Sequence, residues 1–189
     1  MIVSRSNAIF VDHVRHRRAF IAGSVIVGLI LCVVFFWLLQ IALDCHARAS
    51  AVRTIEQCGG SVTYDYQWSA TKVWIPNAVP PGPEWARRLL GQNFAANVVE
   101  VQLFAGPNRL PEKFTDVEAA LLASLRRLEW LVLNDTAITD SGLKSLSTLK
   151  RLERLDLERT KVSEAGVQEL HRALPRVKVY YDEGMVAPE

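Results

Sequence analysis

The sequence predicts an α/β fold in which short strand–turn–helix repeats stack behind an N-terminal α+β cap, preceded by one transmembrane helix. Two copies of one pattern of leucine, hydroxyl, acidic and glycine residues follow each other within residues 128–177. An uncharged apolar block fills residues 19–43. Between them, a glycine pair and several prolines separate segments with helix or strand periodicity. These observations predict, respectively, the repeats, the anchor and the cap.

The apolar block from Ala19 to Leu43 is long enough to cross a bilayer as a helix, for which about 18 apolar residues suffice. Residues 1–18 form a basic tail with Asp12 as its only acid. Its basic residues are Arg5, Arg15, Arg17 and Arg18. Because basic flanks stay in the cytoplasm, we expect a cytoplasmic N-terminus and a repeat domain outside the cytoplasm.

Two other uses of the apolar block remain open. A cleaved signal peptide also begins with basic residues, but its apolar region spans roughly 7 to 15 residues, which is shorter than this block. A lipoprotein anchor at Cys45 would need a small residue where Asp44 stands. Both alternatives therefore fit the sequence less well than a retained single-pass anchor.

Cysteine positions and net charge exclude several classes of protein. Cys32 lies in the apolar block, and Cys45 and Cys58 would stand roughly 20 Å apart on a continuous helix, so no disulfide framework is predicted. The net charge of +2 is small, and its basic residues gather beside the apolar block. This pattern favours contact with lipid headgroups over nucleic acid.

Residues 44–75 are predicted to form a juxtamembrane helix and a strand that cap the repeats. The helix has an apolar stripe and ends at two glycines. The stripe is Ala49, Val52 and Ile55, and the glycines are Gly59 and Gly60. Alternation in 61–66 predicts a strand, for which 71–74 is the expected partner. Residues 76–96 then form a proline-rich linker that carries a short helix at 84–90.

A degenerate repeat follows from residue 97. The positions that match later leucines are Val98, Val101 and Leu103, which correspond to Leu128, Leu131 and Leu133. Its spacing of about 30 residues implies an inserted loop, for which Gly106-Pro107 is the expected site. Its helix is predicted at 115–125. The side chains expected inward there are Val117, Ala120, Leu121 and Leu125.

Each regular repeat contains a strand of alternating leucines, a hydroxyl residue and a helix start. Matching positions, offset by about 24 residues, are Leu131 and Leu155, Leu133 and Leu157, Thr136 and Thr160, Asp140 and Glu164, and Gly142 and Gly166. Thr139 or Asp140 in one copy and Ser163 in the next are the predicted helix caps. The threonines after the strands are expected to hydrogen-bond the neighbouring turn. A last strand at 177–181 precedes a polar tail, 182–189, that is expected to be disordered.

In these residues the chain resembles the leucine-rich repeat family, in particular short bacterial membrane-anchored members with threonine where others carry asparagine or cysteine. The resemblance implies a short leucine-rich repeat solenoid of parallel strands and helices over residues 97–182, with a tail at 183–189. It also implies that the helix, glycine pair and tyrosine-rich strand hide the end of the solenoid from water. The activity it implies is non-enzymatic protein binding.

No motif for catalysis, a cofactor or a metal is recognised in the sequence. The dispersed histidines are His13, His16, His46 and His171, and neither a phosphate loop nor a nucleophile elbow occurs. Asp140 and Glu164 are better explained as acids at helix N-termini than as a catalytic pair, because the helix dipole favours them there. We therefore predict a protein that is not an enzyme and uses no cofactor or small-molecule substrate.

The predicted partner-binding residues lie on the outward, concave faces of the strands. Stacking in register places Glu100, Trp130 and Arg154 in one row and Gln102, Val132 and Asp156 in the next. Aromatic and arginine side chains dominate binding energy where they lose water. The competing interpretation is that Trp130 packs on its neighbours or under the cap.

The predicted function is that of a membrane-anchored interaction module displayed outside the cytoplasm. Its partners would be an unidentified protein and the lipid bilayer, with no nucleic acid. The alternative is a structural or self-associating envelope spacer, in which the repeats pair with copies of themselves or with envelope components.

Overall fold

A computed structural model describes residues 3–69, 73–75, 77–91, 94–103, 113–182 and 184–186, with side chains from Gly28 onward except that of Leu90. The side chains of the basic tail, Pro76 and the predicted loop at Gly106-Pro107 are not described. The chain divides into two compact units, Met1–Leu43 and Asp44–Glu189.

In the first unit, residues 3–43 are helical and belong to α1, which runs from Val3 to Gln57. Its part Gly28–Gln57 is long and apolar enough to cross a membrane, and its most apolar window has a mean hydropathy of 2.2. Large side chains of this part, such as Phe35 and Trp37, are exposed. The predicted apolar helix is therefore present, and both a membrane span and a signal anchor fit it.

The second unit is a mixed α/β structure with one six-stranded sheet. The elements after α1 are β1 Ser61–Tyr64, a 3-10 turn Asp65–Gln67, α2 Glu84–Leu90, β2 Val98–Leu103, α3 Asp116–Leu122, β3 Trp130–Leu133, α4 Asp140–Leu146, β4 Arg154–Leu157, α5 Glu164–Ala173, β5 Lys178–Tyr181 and β6 Gly184–Val186. The strands follow one another in sequence order across the sheet. β2 to β5 are parallel, and β1 and β6 pair antiparallel at the two ends.

The parallel strands pair in the register that the repeat spacing predicts. Val101 lies opposite Leu131, Leu131 opposite Leu155, and Leu155 opposite Val179. All four side chains are fully buried in one continuous hydrophobic core. Each buried leucine or valine stabilises the fold by roughly 1.5 to 3 kcal/mol. One residue of slip would turn this whole row toward the opposite face of the sheet.

The predicted inward face of α3 is wrong except for Leu125. Val117 and Leu121 are 72% and 40% exposed, and Ala120 is also exposed. The buried residues are Phe114, Ala119, Leu122 and Leu125. Thr115 caps the helix by accepting a hydrogen bond from the Val117 amide at 3.3 Å. This cap, with buried Phe114 before it, fixes the rotation of the helix so that the stripe 119–122–125 meets the core.

The inward stripe of α1 near its end is also shifted from the predicted one. Ile55 is fully buried as predicted, but Ala49 and Val52 are half-buried. Ala51 and Cys58 complete the buried stripe. Burial raises the pKa of the Cys58 thiol, helped by the charge of Glu118. The helix ends before Gly59, whose φ of 78° is one that glycine adopts readily.

The predicted partner of β1 is wrong. β1 ends at Tyr64 and pairs antiparallel with β2, placing Val62 opposite Val101. In the segment 71–74, residues 71 and 72 lie outside the described part, and Trp74 forms an isolated bridge with Trp68. β2 would otherwise be the edge of the parallel sheet, so pairing with β1 satisfies its free backbone groups.

Part of the tail expected to be disordered is ordered. Gly184–Val186 forms β6, in which Met185 lies opposite Tyr180 of β5. Gly184 has a φ of 145°, which suits a residue without a Cβ. Residues 183 and 187–189 are not described. The sheet thus ends in an antiparallel strand on both sides, which shields the outermost parallel strands.

An aspartate joins each helix start to the next. Asp116 accepts hydrogen bonds from the amide and hydroxyl of Thr139 at 2.8 and 2.6 Å. One repeat later, Asp140 accepts the same two bonds from Ser163, again at 2.8 and 2.6 Å. Thr139 and Ser163 are the N-caps of α4 and α5, as predicted. Asp140 therefore connects neighbouring repeats as well as lying at a helix N-terminus.

The threonines after the strands bond within their own repeat, which corrects the prediction. The Thr136 hydroxyl donates to the Leu133 carbonyl at 2.7 Å, and that of Thr160 donates to Leu157 at 2.8 Å. The carbonyl three residues back is the nearest acceptor for a short side chain at this turn. The neighbouring turn is reached by Asn134 instead, whose side-chain oxygen accepts from the Glu158 amide at 2.9 Å.

The repeat glycines are required by the aspartates. A Cβ on Gly166 would lie 2.2 Å from Asp140 Oδ1, and one on Gly142 would lie 2.5 Å from Asp116 Oδ1. No carbon atom fits at these distances, so either helix or the carboxylate would have to move. The recurring aspartate of one repeat and the recurring glycine of the next thus take part in the same contact between repeats.

We predict that Gly166→Ala lowers the free energy of unfolding by about 1 to 3 kcal/mol, because the new methyl group displaces the Asp140 carboxylate from Ser163. Urea unfolding of the full chain in detergent measures the loss. Ser141→Ala, at an exposed position in the first turn of α4, is the control and should change stability by less than about 0.5 kcal/mol. Equal unfolding midpoints for the two variants would contradict the contact.

We also predict that Asp116 contributes to acid sensitivity. Burial opposes its ionisation, but hydrogen bonds from the Thr139 hydroxyl and from the amides of Thr139 and Gly142 prevail and lower the pKa of Asp116 below its ordinary value of 3.8. Its stabilisation is therefore complete above that value and is lost as pH falls through the lower pKa of the folded state.

Asp116→Asn should accordingly be less stable than wild type by about 1 to 2 kcal/mol at neutral pH. This difference should shrink between about pH 5 and about pH 2, as the wild-type carboxyl takes up its proton. Unfolding midpoints measured across that range check the prediction, with the exposed Glu169→Gln as control. A difference that stays constant with pH would exclude Asp116 as the responsible group.

Candidate functional site

The strand register brings all six predicted binding residues onto one face of the sheet. Glu100 lies opposite Trp130, and Trp130 lies opposite Arg154. In the second row, Val132 lies between Gln102 and Asp156. β5 extends both rows, because Lys178 lies opposite Arg154 and Tyr180 lies opposite Asp156. We call these eight residues the concave face, after the curvature that the repeat prediction gives to this side of the sheet.

The side chain of Arg154 contacts three other residues of the concave face. Its guanidinium carbon lies 4.9 Å from the ring centroid of Trp130 and 4.6 Å from that of Tyr180. Its Nε and Nη2 atoms also donate to the two carboxylate oxygens of Asp156, each at 2.9 Å. These hydrogen bonds raise the pKa of Arg154 above its ordinary value. The guanidinium is therefore charged and held in one orientation by three neighbours.

Two carboxylates of the concave face are unusually buried. Glu100 is 6% exposed and Asp156 is 8% exposed. Burial of a carboxylate is costly unless hydrogen bonds replace its water. Asp156 receives them from Arg154, and Glu100 accepts one from the side-chain amide of Gln102. The face thus carries two hydrogen-bonded pairs, Arg154 with Asp156 and Gln102 with Glu100.

A groove of about 670 Å³ runs along the start of the parallel strands beside the concave face. Its lining residues are Asp65, Trp68, Ser69, Val99, Glu100, Glu129, Trp130, Glu153 and Arg154. Four of these are carboxylates and one is a guanidinium, so the groove has an acidic lining with two indole rings. An acidic and aromatic lining favours a cationic side chain.

Trp130 belongs to both the concave face and the groove. Its ring is half-buried, and its Nε1 atom is buried without a hydrogen-bond partner among the described residues. Leaving a buried N–H unpaired costs about 1 to 3 kcal/mol of stability. The competing prediction is that Trp130 packs on its neighbours. The structure also agrees with it, because the Arg154 guanidinium lies over the Trp130 ring.

Some residues of this surface were not predicted, although their positions in the repeats indicate them. Lys178 and Tyr180 follow Arg154 and Asp156 by one repeat. Glu129 and Glu153 immediately precede the two regular strands at matching positions. Asp65 and Trp68 come from the segment after β1, where no repeat periodicity points toward the groove.

The described part of the chain offers no metal centre. It contains no group of three or more histidine, cysteine or acidic residues that could hold an ion. His46 is exposed on α1 and His171 is half-buried on α5, while the side chains of His13 and His16 lie outside the description. Cys32, Cys45 and Cys58 are free.

We predict that Arg154 and Asp156 are energetically coupled. In a double-mutant cycle with Arg154→Ala and Asp156→Ala, the coupling energy should be about 1 to 2 kcal/mol, since the pair is bidentate and Asp156 is buried. Urea unfolding of the full chain and its three variants measures it.

Lys144 and Glu169 provide the control pair. Their charged atoms are 3.8 Å apart and both side chains are well exposed, so their coupling should fall below about 0.5 kcal/mol. If the Arg154 and Asp156 pair is no stronger than this control, the concave face is not preorganised.

Comparison of the chain with protein-family models and with curated proteins finds no match. The function must therefore be argued from the geometry of the concave face and the apolar helix.

Proposed function

We propose that the chain is a membrane-anchored, non-enzymatic binding protein whose residues 97–182 form a short leucine-rich repeat solenoid. The solenoid would bind a protein partner through the concave face. The observation that carries this proposal is the stacking of Arg154 between Trp130 and Tyr180, with Asp156 holding the guanidinium from the side.

The solenoid assignment is supported by how the repeats are joined. Each unit places one parallel strand beside the next and one helix beside the next, in fixed register. The same contact, an aspartate bonded to the cap of the following helix, recurs from α3 to α4 and from α4 to α5. Repetition of one contact at one spacing is what a solenoid requires.

The binding assignment is supported by preorganisation. A side chain already fixed in the free protein loses little conformational entropy on binding, so more of its contact energy contributes to affinity. Tryptophan, tyrosine and arginine are the residue types that most often dominate interfaces. A sheet with four parallel strands offers a modest surface, which suits a transient partner.

The charges that line the groove beside Trp130 favour a positively charged partner. Its carboxylates, Asp65, Glu100, Glu129 and Glu153, outnumber the single guanidinium of Arg154. A partner segment with a lysine or arginine side chain would be attracted by these carboxylates.

The anchor is supported by the exposed apolar surface of α1 within Gly28–Gln57. We propose that this helix is a single-pass anchor with a cytoplasmic N-terminus, because the preceding segment is basic. The domain after Leu43 would then face the extracytoplasmic side, where the anchor keeps it close to partners in or near the same membrane.

A site-specific photo-crosslinker tests the proposed binding face in the full chain in its own membrane. Benzoylphenylalanine in place of Lys178, exposed in the first row, should give an adduct with a different protein. The same replacement at Gln168, exposed on α5, is the control and should give little of it.

Adding Trp130→Ala should abolish the adduct at position 178, whereas Trp130→Phe, which keeps a ring, should retain part of it. Circular dichroism confirms that both variants fold. Adducts joining two copies of the chain would instead favour the spacer alternative. Equal adducts from positions 178 and 168, or no effect of Trp130→Ala, would refute the concave face as the binding site.

A further inference from the structure

Helix α2 presents an apolar surface to solvent. Trp85 and Leu89 are 69% and 76% exposed. They stand four residues apart and so share one side of the helix, while Ala86, the residue after Trp85, is buried. Large apolar side chains this exposed on adjacent turns indicate a surface that another apolar phase covers.

Two arginines and another exposed apolar side chain lie next to this surface. Arg87 and Arg88 lie in the last turn of α2. Arg87 donates to the Pro80 carbonyl, which places the 72% exposed Val79 close to the helix. Arg88 is paired with Glu84, and both side chains are well exposed. Tryptophan and leucine next to arginine is the composition found where helices lie in the headgroup region of a bilayer.

The residue after α2 lines the same hollow as two residues that closely follow the apolar block in sequence. Gly91, which follows α2, lines one hollow together with Cys45 and Arg48. Cys45 and Arg48 follow Leu43 by two and five residues, a rise of about 3 and about 7.5 Å along a helix. If the block spans a bilayer, these two residues lie at headgroup depth.

We propose that α2 is an interfacial membrane contact, with Trp85 and Leu89 inserted among the acyl chains and Arg87 and Arg88 near lipid phosphates. The proposal rests on the anchor of the proposed function and adds a second, peripheral contact with the same bilayer. Such a contact would restrict rotation of the domain about its anchor and so fix the direction in which the concave face points.

A bilayer fits this surface better than a protein groove does. The anchor of the proposed function would keep the domain close to a bilayer, so lipid would be at high local concentration, whereas a protein partner would have to reach α2 by diffusion. Both indole and guanidinium groups are satisfied at a membrane interface, because their apolar parts meet acyl chains while their polar atoms meet headgroups and water.

Photo-crosslinking to lipid tests the contact in the full chain, reconstituted in vesicles of phosphatidylcholine and phosphatidylglycerol. Benzoylphenylalanine replaces Leu89 on α2, Leu31 in the apolar block, or Val117 on α3. All three positions are exposed, so accessibility does not distinguish them. Mass spectrometry of the illuminated protein then measures the lipid adducts.

We expect lipid adducts at positions 31 and 89 and none above background at 117. Trp85→Ser should reduce the adduct at position 89 without changing that at 31. Adducts at 31 but not at 89 would overturn the interfacial contact and leave the anchor standing. Absence of adducts at both would contradict the anchor as well. Equal adducts at 89 and 117, or protein adducts at 89 in place of lipid, would also overturn the proposal.

Discussion

The side-by-side pairing of parallel strands in a definite register is the interaction on which the structure of the second unit depends. Because side chains alternate along a strand, a single choice of register decides both faces of the sheet. It places Leu131 against Leu155 in the core and, on the opposite face, Trp130 against Arg154. The core and the concave face are therefore consequences of the same hydrogen-bonded ladder, and neither could shift without the other.

The aspartate bonds between helix starts reinforce that register from the opposite side of each repeat. Asp116 and Asp140 satisfy the first amides of the following helices, which would otherwise lack partners. Glycine at positions 142 and 166 leaves room for the carboxylates. The concave face differs in this respect. It buries Glu100 and Asp156 and leaves the Trp130 indole N–H unpaired within the described residues, which costs stability.

Sequence periodicity predicts the parts of the structure that repeat. The register of β2, β3 and β4, the caps Thr139 and Ser163, and the grouping of the six candidate residues follow from matching the repeats, which are spaced by about 30 and then about 24 residues. α3 shows where this reasoning fails. Its segment carries two overlapping apolar stripes, and the one through Ala119 and Leu122 is selected by contacts of Phe114 and the cap at Thr115.

The ends of the sheet could not be predicted for a related reason. β6 has only three residues and little periodicity, and it forms because β5 offers an unpaired edge. β1 likewise pairs with β2, which lies far from it in sequence. Asp65 and Trp68 reach the groove through this pairing, so their place beside Trp130 depends on a long-range contact that local patterns do not contain.

Hydrogen exchange of the full chain tests most directly whether the strands form one stacked unit. A repeat cannot bury its leucines without its neighbours, so the inner amides of β3, β4 and β5 should exchange with one common opening free energy. Rapid, unprotected exchange in β4 while β3 and β5 remain protected would contradict the stacking on which the core and the concave face both rest.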